Sequence, residues 1–165
     1  MTLVMQPSIH RPAFRYYAVT VEDMMMTADE RNIHHLFDTI RQAWSSGDAN
    51  LFASCFTEDS DYINFQGEHL EGKEANKEAH QKMFNSFLKN STLLGDIQKI
   101  KFISDEVAVV HCLTGIKAQW QRVVSKNKIN TNVVVKQNGE WKISAFHNTQ
   151  IKKPGLIDRI AAFFK

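Results

Sequence analysis

Cysteine is scarce in this 165-residue chain: the only two, Cys55 and Cys112, sit inside apolar segments and form no paired framework. That argues against a disulfide-stapled scaffold and reads as two small buried hydrophobes of the kind a reducing cytoplasm tolerates. Long apolar runs are missing as well; none approaches the ~20 residues that cross a bilayer. A secretory h-region is missing too, because Pro7, His10, Arg11, Pro12 and Arg15 interrupt the N-terminal stretch. Nor is there an excess of one charge. Twenty basic residues against eighteen acidic ones leave a formal charge of +2, too little to argue for nucleic acid or an anionic membrane surface. The expectation is a cytoplasmic protein with neither nucleic acid nor membrane as partner.

What is present suits one domain. At this length folding hides about 70% of the unfolded chain's surface, so a core needs neither disulfide nor metal. Residues 1–26 show no periodicity and carry two prolines. They form an N-terminal arm packing on the domain or a partner, or a leader preceding a natural start within Met24-Met25-Met26. The domain proper spans 27–151. Thr27-Ala28-Asp29-Glu30 has the pattern of a capping box. Ile33, Leu36, Phe37, Ile40, Ala43 and Trp44 then recur at helical spacing, and Gly47 suits the left-handed position that ends a helix. Asp48 can cap a second, short helix through Phe56. A strand is expected over Asp61–Gln66 and a third helix over Lys73–Leu88.

Beyond Leu88 the period changes from 3.6 to 2. Strands are expected near Leu93–Ile103, Val107–Gln119, Arg122–Lys136 and Trp141–Ile151. Asn138-Gly139 marks a tight hairpin, since a type I′ turn needs positive φ at both central residues. Helices first and a strand meander afterwards is an α+β order. Residues 152–165 open on a Pro154-Gly155 break and give a short amphipathic helix, expected to pack on protein rather than on a membrane.

Trp44-Ser45-Ser46-Gly47-Asp48, Leu51-Phe52 through Phe56-Thr57-Glu58-Asp59-Ser60-Asp61, Leu70-Glu71-Gly72, Asn138-Gly139-Glu140-Trp141-Lys142-Ile143 and Phe146-His147-Asn148-Thr149 together resemble the nuclear-transport-factor-2-like superfamily. The likeness extends to its SnoaL-like and SgcJ/EcaC-type members and covers roughly residues 28–151. It implies a cone: a strongly bent antiparallel sheet wrapped around three helices, open at one end, and commonly paired through the sheet as a homodimer. It implies no single function, because one scaffold hosts many.

Ketosteroid isomerases of that superfamily abstract a proton beside a carbonyl with a carboxylate base and a donor pair. A gapless match places Asn64 where their pattern has the base and Ile40 where it has a tyrosine donor. An amide has no useful basicity, so that activity is not expected here. SnoaL-type cyclases use an Asp/His arrangement; the last strand offers His147 and Asn148 but no aspartate. Catalysis would fall to His80 or His147 as base, on a carbonyl-bearing metabolite in a lyase, isomerase or cyclase reaction.

Seven histidines raise a metal reading, but His34 and His35 point about 100° apart on a helix. His69, His80, His111 and His147 are dispersed, with no ligand-pair spacing. No metal or cofactor is expected. His111 and Cys112 are neighbours on a strand and face opposite ways, which rules out a dyad between them.

The pocket reading fares better. Tyr62 and Asn64 share one strand face, His80 lies on the third helix's apolar side, and Trp44 closes the first helix's stripe. Trp44, Tyr62, Asn64, His80, Phe84, His147 and Asn148 are the expected wall of a pocket for a small, partly apolar organic ligand. The aromatic members taken singly also suit plain core. Val107, Val109, Val110, Leu113 and Ile116 leave both strand faces apolar, as a homodimer through the sheet would use, with Trp120 a candidate anchor. A non-catalytic assembly module is the remaining alternative.

Overall fold

The computed structural model describes residues 26–122 and 126–152. All but the last residue of the expected N-terminal arm, and the C-terminal amphipathic helix after Lys152, lie outside the described residues. Three helices, α1 (Ala28–Ser46), α2 (Ala49–Ser54) and α3 (Gly72–Phe84), are interleaved with the first two of six strands. The strands are β1 (Phe56–Ile63), β2 (His69–Glu71), β3 (Thr92–Ser104), β4 (Val107–Lys117), β5 (Lys128–Gln137) and β6 (Glu140–Gln150).

Local chemistry sets the helix boundaries. The Thr27 hydroxyl accepts from the Glu30 amide at 3.1 Å, while the Glu30 carboxylate accepts from the Thr27 amide at 2.7 Å. Two of the four orphan amides of the first turn are thereby satisfied. Gly47 ends α1 at φ +68°, a conformation that costs a side-chain-bearing residue about 1 kcal/mol. The Asp48 carboxylate then caps α2 by accepting from the Leu51 amide at 2.9 Å. Helix α1 buries Ile33, Leu36, Phe37, Ile40, Ala43 and Trp44 on one face. Its first turn is tied to the sheet: Asp29 accepts from Lys136 Nζ at 2.7 Å and from Trp141 Nε1 at 2.9 Å. These partners hold its carboxyl below the usual range, the Lys136 hydrogen bond first.

The strands form one curved, unclosed sheet in the order β2-β1-β6-β5-β4-β3. Only β1 and β6 run parallel; every other pair is antiparallel. The expected Asn138-Gly139 hairpin is present, with φ of 53° and 85°. Several boundaries differ from expectation. The strand placed at Asp61–Gln66 starts earlier and stops at Ile63, the third helix ends at Phe84, and β5 begins at Lys128. Strand β2, absent from the sequence reading, pairs His69–Glu71 with Asp61–Ile63.

One irregularity decides what faces inward. In β6, Ile143 sits opposite Val134 and Ala145 opposite Val133, so Ser144 is an extra residue, a β-bulge. Up to Ile143 the odd-numbered residues face the helices, and Trp141 and Ile143 are buried. After Ser144 the parity flips, so that Phe146 packs on the core and His147 is exposed.

Candidate ligand cavity

Two adjacent hollows occupy the open end of the cone. The outer one, about 650 Å³, lies between α3, the β1–β2 turn and the ends of β4, β5 and β6. The inner one, about 70 Å³, lies between α1 and the sheet. Trp44, Tyr62, Ile116, Lys128 and Asn148 border both and form the neck between them. The inner chamber is walled chiefly by Phe37, Ile40, Phe52, Phe56, Leu93 and Ile143.

Each neck residue is held by its surroundings. The indole Nε1 of Trp44 donates to Ser91 Oγ at 2.9 Å, and that hydroxyl donates to the Leu88 carbonyl at 2.7 Å. Tyr62 stacks on Phe146, with ring centroids 4.3 Å apart and planes within 10°. Burial pushes the Tyr62 phenol above its ordinary range, so its oxygen keeps its proton. Asn130, opposite Asn148 on β5, donates from Nδ2 to Thr114 Oγ1 at 2.9 Å and to Asn148 Oδ1 at 3.2 Å. That chain turns the Asn148 carbonyl oxygen toward Asn130 and leaves its NH₂ as a donor at the neck. Lys128 lies with its ammonium 4.9 Å from the centre of the Phe65 ring. Desolvation lowers its pKa.

Of the residues expected on the wall, Trp44, Tyr62, Asn64, His80 and Asn148 border the hollows, and Tyr62, Asn64 and His80 share the outer one. Two do not. Phe84 is core, its ring 5.4 Å from that of Trp44 and 5.8 Å from that of His80. His147 is corrected by the Ser144 bulge: it faces the outer side of the sheet, opposite Thr131 and Ile63, and does not border either hollow. Alternation cannot seat both His147 and Asn148 on one wall, and the bulge selects Asn148.

His80 borders the outer hollow but is itself fully buried. Its ring stacks on Phe52 at 4.0 Å and meets Tyr62 edge-on at 5.1 Å. Nδ1 lies 2.9 Å from the Asn76 carbonyl oxygen and so carries the proton, leaving Nε2 an enclosed, unpartnered acceptor. Desolvation lowers its pKa to about 4, against the raising effect of the Asn76 hydrogen bond. A neutral, sealed imidazole with so low a pKa is a weak proton acceptor at neutral pH.

Asn64 is also committed locally. Its Oδ1 accepts from the amides of Gln66 and Glu68 at 2.9 and 3.1 Å, and its Nδ2 donates to Glu68 Oε2 at 2.9 Å. It shapes the β1–β2 turn as an Asx turn while its flank borders the outer hollow.

The sequence reading missed Lys128, Asn130 and Asn132, which lie two residues apart on β5 and border the inner chamber. A signal existed: Lys128, Asn130 and Asn132 alternate with Ile129, Thr131 and Val133. Hydrophobic patterning would have put the isoleucine and valine inside. The structure reverses this, with Asn132 at 0% exposure and Ile129 at 41%. The thiols of Cys55 and Cys112 are free and buried, and burial raises their pKa values to about 11 and about 12. No described helix is long and apolar enough to cross a membrane. No described cluster of three His, Cys, Asp or Glu side chains could hold a metal ion.

A bent, unclosed sheet over three helices with a hollow at its open end defines a cone-shaped α+β pocket domain. The family model of the SnoaL-like domain matches residues 25–147. The chain belongs to that family, within the nuclear-transport-factor-2-like superfamily. Among solved structures it resembles a cystatin-like-fold domain of unknown function from Nostoc punctiforme, with 27% identity and TM-score 0.72 over 85% of this chain and 86% of that one. It also resembles an NTF-2-like protein of unknown function from Shewanella oneidensis, with 21% identity and TM-score 0.65 over 74% and 99%. A candidate scytalone dehydratase from Novosphingobium aromaticivorans shares 18% identity, with TM-score 0.63 over 75% and 85%. No curated protein sequence matches the chain.

Proposed function

We propose that this protein binds a small, partly apolar organic molecule at the open end of its cone, in the cytoplasm. The observation that carries the reading is a 650 Å³ mixed cavity lying against a small apolar chamber, with Trp44, Tyr62, Lys128 and Asn148 bordering both. Pockets of that size with a few oriented polar groups are the usual form of small-molecule sites. An assembly module has no use for such a hollow, which weighs against that alternative. Native mass spectrometry of freshly purified protein tests the reading. A co-purified organic mass lost on denaturation supports it. Its absence, together with no Trp44 fluorescence change across a panel of aromatic fragments, refutes it.

A lyase, isomerase or cyclase acting on a carbonyl-bearing metabolite is the second reading, favoured by the fold shared with the candidate dehydratase. It would not run through His147, which faces away, and His80 is a poor base. The carboxylates on the cavity wall are those of Glu68 and Glu78. A homodimer through the sheet belongs to the first reading. Val107, Val109, Leu113 and Val133 alternate with buried residues on the outer face of β4 and β5, offering a second copy an apolar surface. Light scattering behind size exclusion distinguishes a dimer from a monomer.

A further inference from the structure

We infer that the neck is an anion site, and that the ligand is a small carboxylate-bearing molecule with its oxygens on Lys128 and Asn148 and its ring in the outer hollow. The inference rests on the cavity being a ligand site and names the chemical class it takes.

Lys128 is the sole ionisable cation of the neck, and among the described residues it joins no ion pair. Its recorded contacts are the Phe65 ring face and, at 3.5 Å, Asn127 Oδ1. Neither neutralises the ammonium. The other charges on the outer wall are Glu68 and Glu78 against Lys82, one carboxylate in excess. Glu68 accepts from Asn64 in the β1–β2 turn and Glu78 stands on α3, neither of them among the neck residues.

The second observation is independent of charge. The Thr114–Asn130–Asn148 chain turns the Asn148 oxygen toward Asn130 and leaves its NH₂ on the other branch of the amide as a donor. Tyr62 adds a phenol that burial keeps protonated. Three groups at one constriction can therefore donate. A neutral carbonyl could satisfy one donor, whereas a carboxylate's two oxygens can take several and pair the ammonium. Size assigns the ring to the outer hollow. An apolar cavity of roughly 150 Å³ takes a benzene, so the inner chamber of about 70 Å³ admits no more than a small alkyl group, whereas the outer hollow of about 650 Å³ has room for a ring. The walls of the inner chamber are mainly aromatic and aliphatic.

Isothermal titration with three probes of matched shape tests this: phenylacetate, its neutral isostere phenylacetamide, and toluene. Phenylacetate should bind about tenfold or more tighter than phenylacetamide at low salt, with the preference shrinking as salt rises. Lys128→Met should erase that preference, weakening phenylacetate far more than phenylacetamide, and Lys128→Arg should keep it. A melting curve matching the parent shows that each variant is folded. Equal binding of acid and amide, or a preference surviving in Lys128→Met, overturns the anion site but leaves the cavity reading standing. Failure of all three probes to bind overturns both.

Discussion

Acidification should unfold this protein partly through one imidazole. His80 is fully buried, and desolvation lowers its pKa to about 4 from the ordinary 6.5. The unfolded chain therefore takes up a proton near pH 6.5, while the folded chain resists until about pH 4. Stability contributed by the neutral ring is fully present above pH 6.5 and falls as pH drops through that window. Below about pH 4 both states are protonated and no more is lost. One proton taken up by one state only changes stability by about 1.4 kcal/mol per pH unit, so the loss between pH 7.5 and 4.5 comes to about 2–3 kcal/mol.

Carboxylates such as Asp29 titrate lower and overlap the end of the window, so a variant must separate the terms. His80→Asn keeps a donor for the Asn76 carbonyl but cannot titrate. Losing the stack on Phe52 should lower its stability by about 1–3 kcal/mol at pH 7.5. Urea unfolding of both proteins at half-unit steps from pH 7.5 to 4.5 gives two curves. The gap should narrow by about 2–3 kcal/mol as pH falls, because only the parent carries the histidine penalty. Parallel curves would refute the reasoning, since they would mean the ring charges as readily folded as unfolded.

Three further perturbations have expected outcomes. Asp29→Asn should lower the melting temperature at pH 7, and the difference should vanish as pH falls below the carboxylate range. Its folded pKa is depressed by Lys136 and Trp141, so its contribution exists above the unfolded pKa and is lost as pH falls through the folded one. Gly47→Ala should cost about 1 kcal/mol in urea unfolding, through the φ of +68° and not through crowding, since an added Cβ would meet Phe84 Cβ at an ordinary 3.8 Å. Deleting Ser144 should remove the bulge and leave a regular ladder in the same register, Ile143 on Val134 and Ala145 on Val133, so that Phe146 and Asn148 stay inward and His147 outward. Probe binding and the near-ultraviolet dichroism of the Tyr62–Phe146 stack should persist, whereas loss of both from a folded variant would refute the assignment of Ser144 as the extra residue.

Features written in a few consecutive residues were legible before any coordinates. The Thr27–Glu30 box, the Asp48 cap, the left-handed Gly47 and the Asn138-Gly139 turn each depend on side chains one to three positions apart. The resemblance to a cone-shaped fold came from the order of such pieces, and the strand face shared by Tyr62 and Asn64 and the helix side of His80 from simple periodicity. His147 was misplaced because a bulge is a two-strand property. Ser144 is extra only relative to the Val133–Val134 step of β5, and nothing in the run Trp141–Gln150 marks it. Asn64 was placed by analogy with a catalytic position, whereas its side chain closes a turn onto Gln66 and Glu68 two and four residues later.

Strand β5 is the instructive failure. Patterning rules assume that the apolar set of a strand faces the core, and applied to Lys128–Gln137 they seat Ile129 and Val133 inside. The chain does the reverse, and burying amides without partners would cost about 1–3 kcal/mol each. Asn130 avoids that cost through Thr114 and Asn148, and Asn132 partly avoids it by donating to the Val110 carbonyl at 3.2 Å. Among the described residues the ammonium of Lys128, the stripe's outermost member, has only the long 3.5 Å hydrogen bond to Asn127 Oδ1, and Lys128 borders both hollows. Local rules fail most often where a sequence has been shaped by something other than folding. Here the residues that violate the pattern are those that line the neck and the chamber, and the violation ends at Val134, which is buried like any core valine.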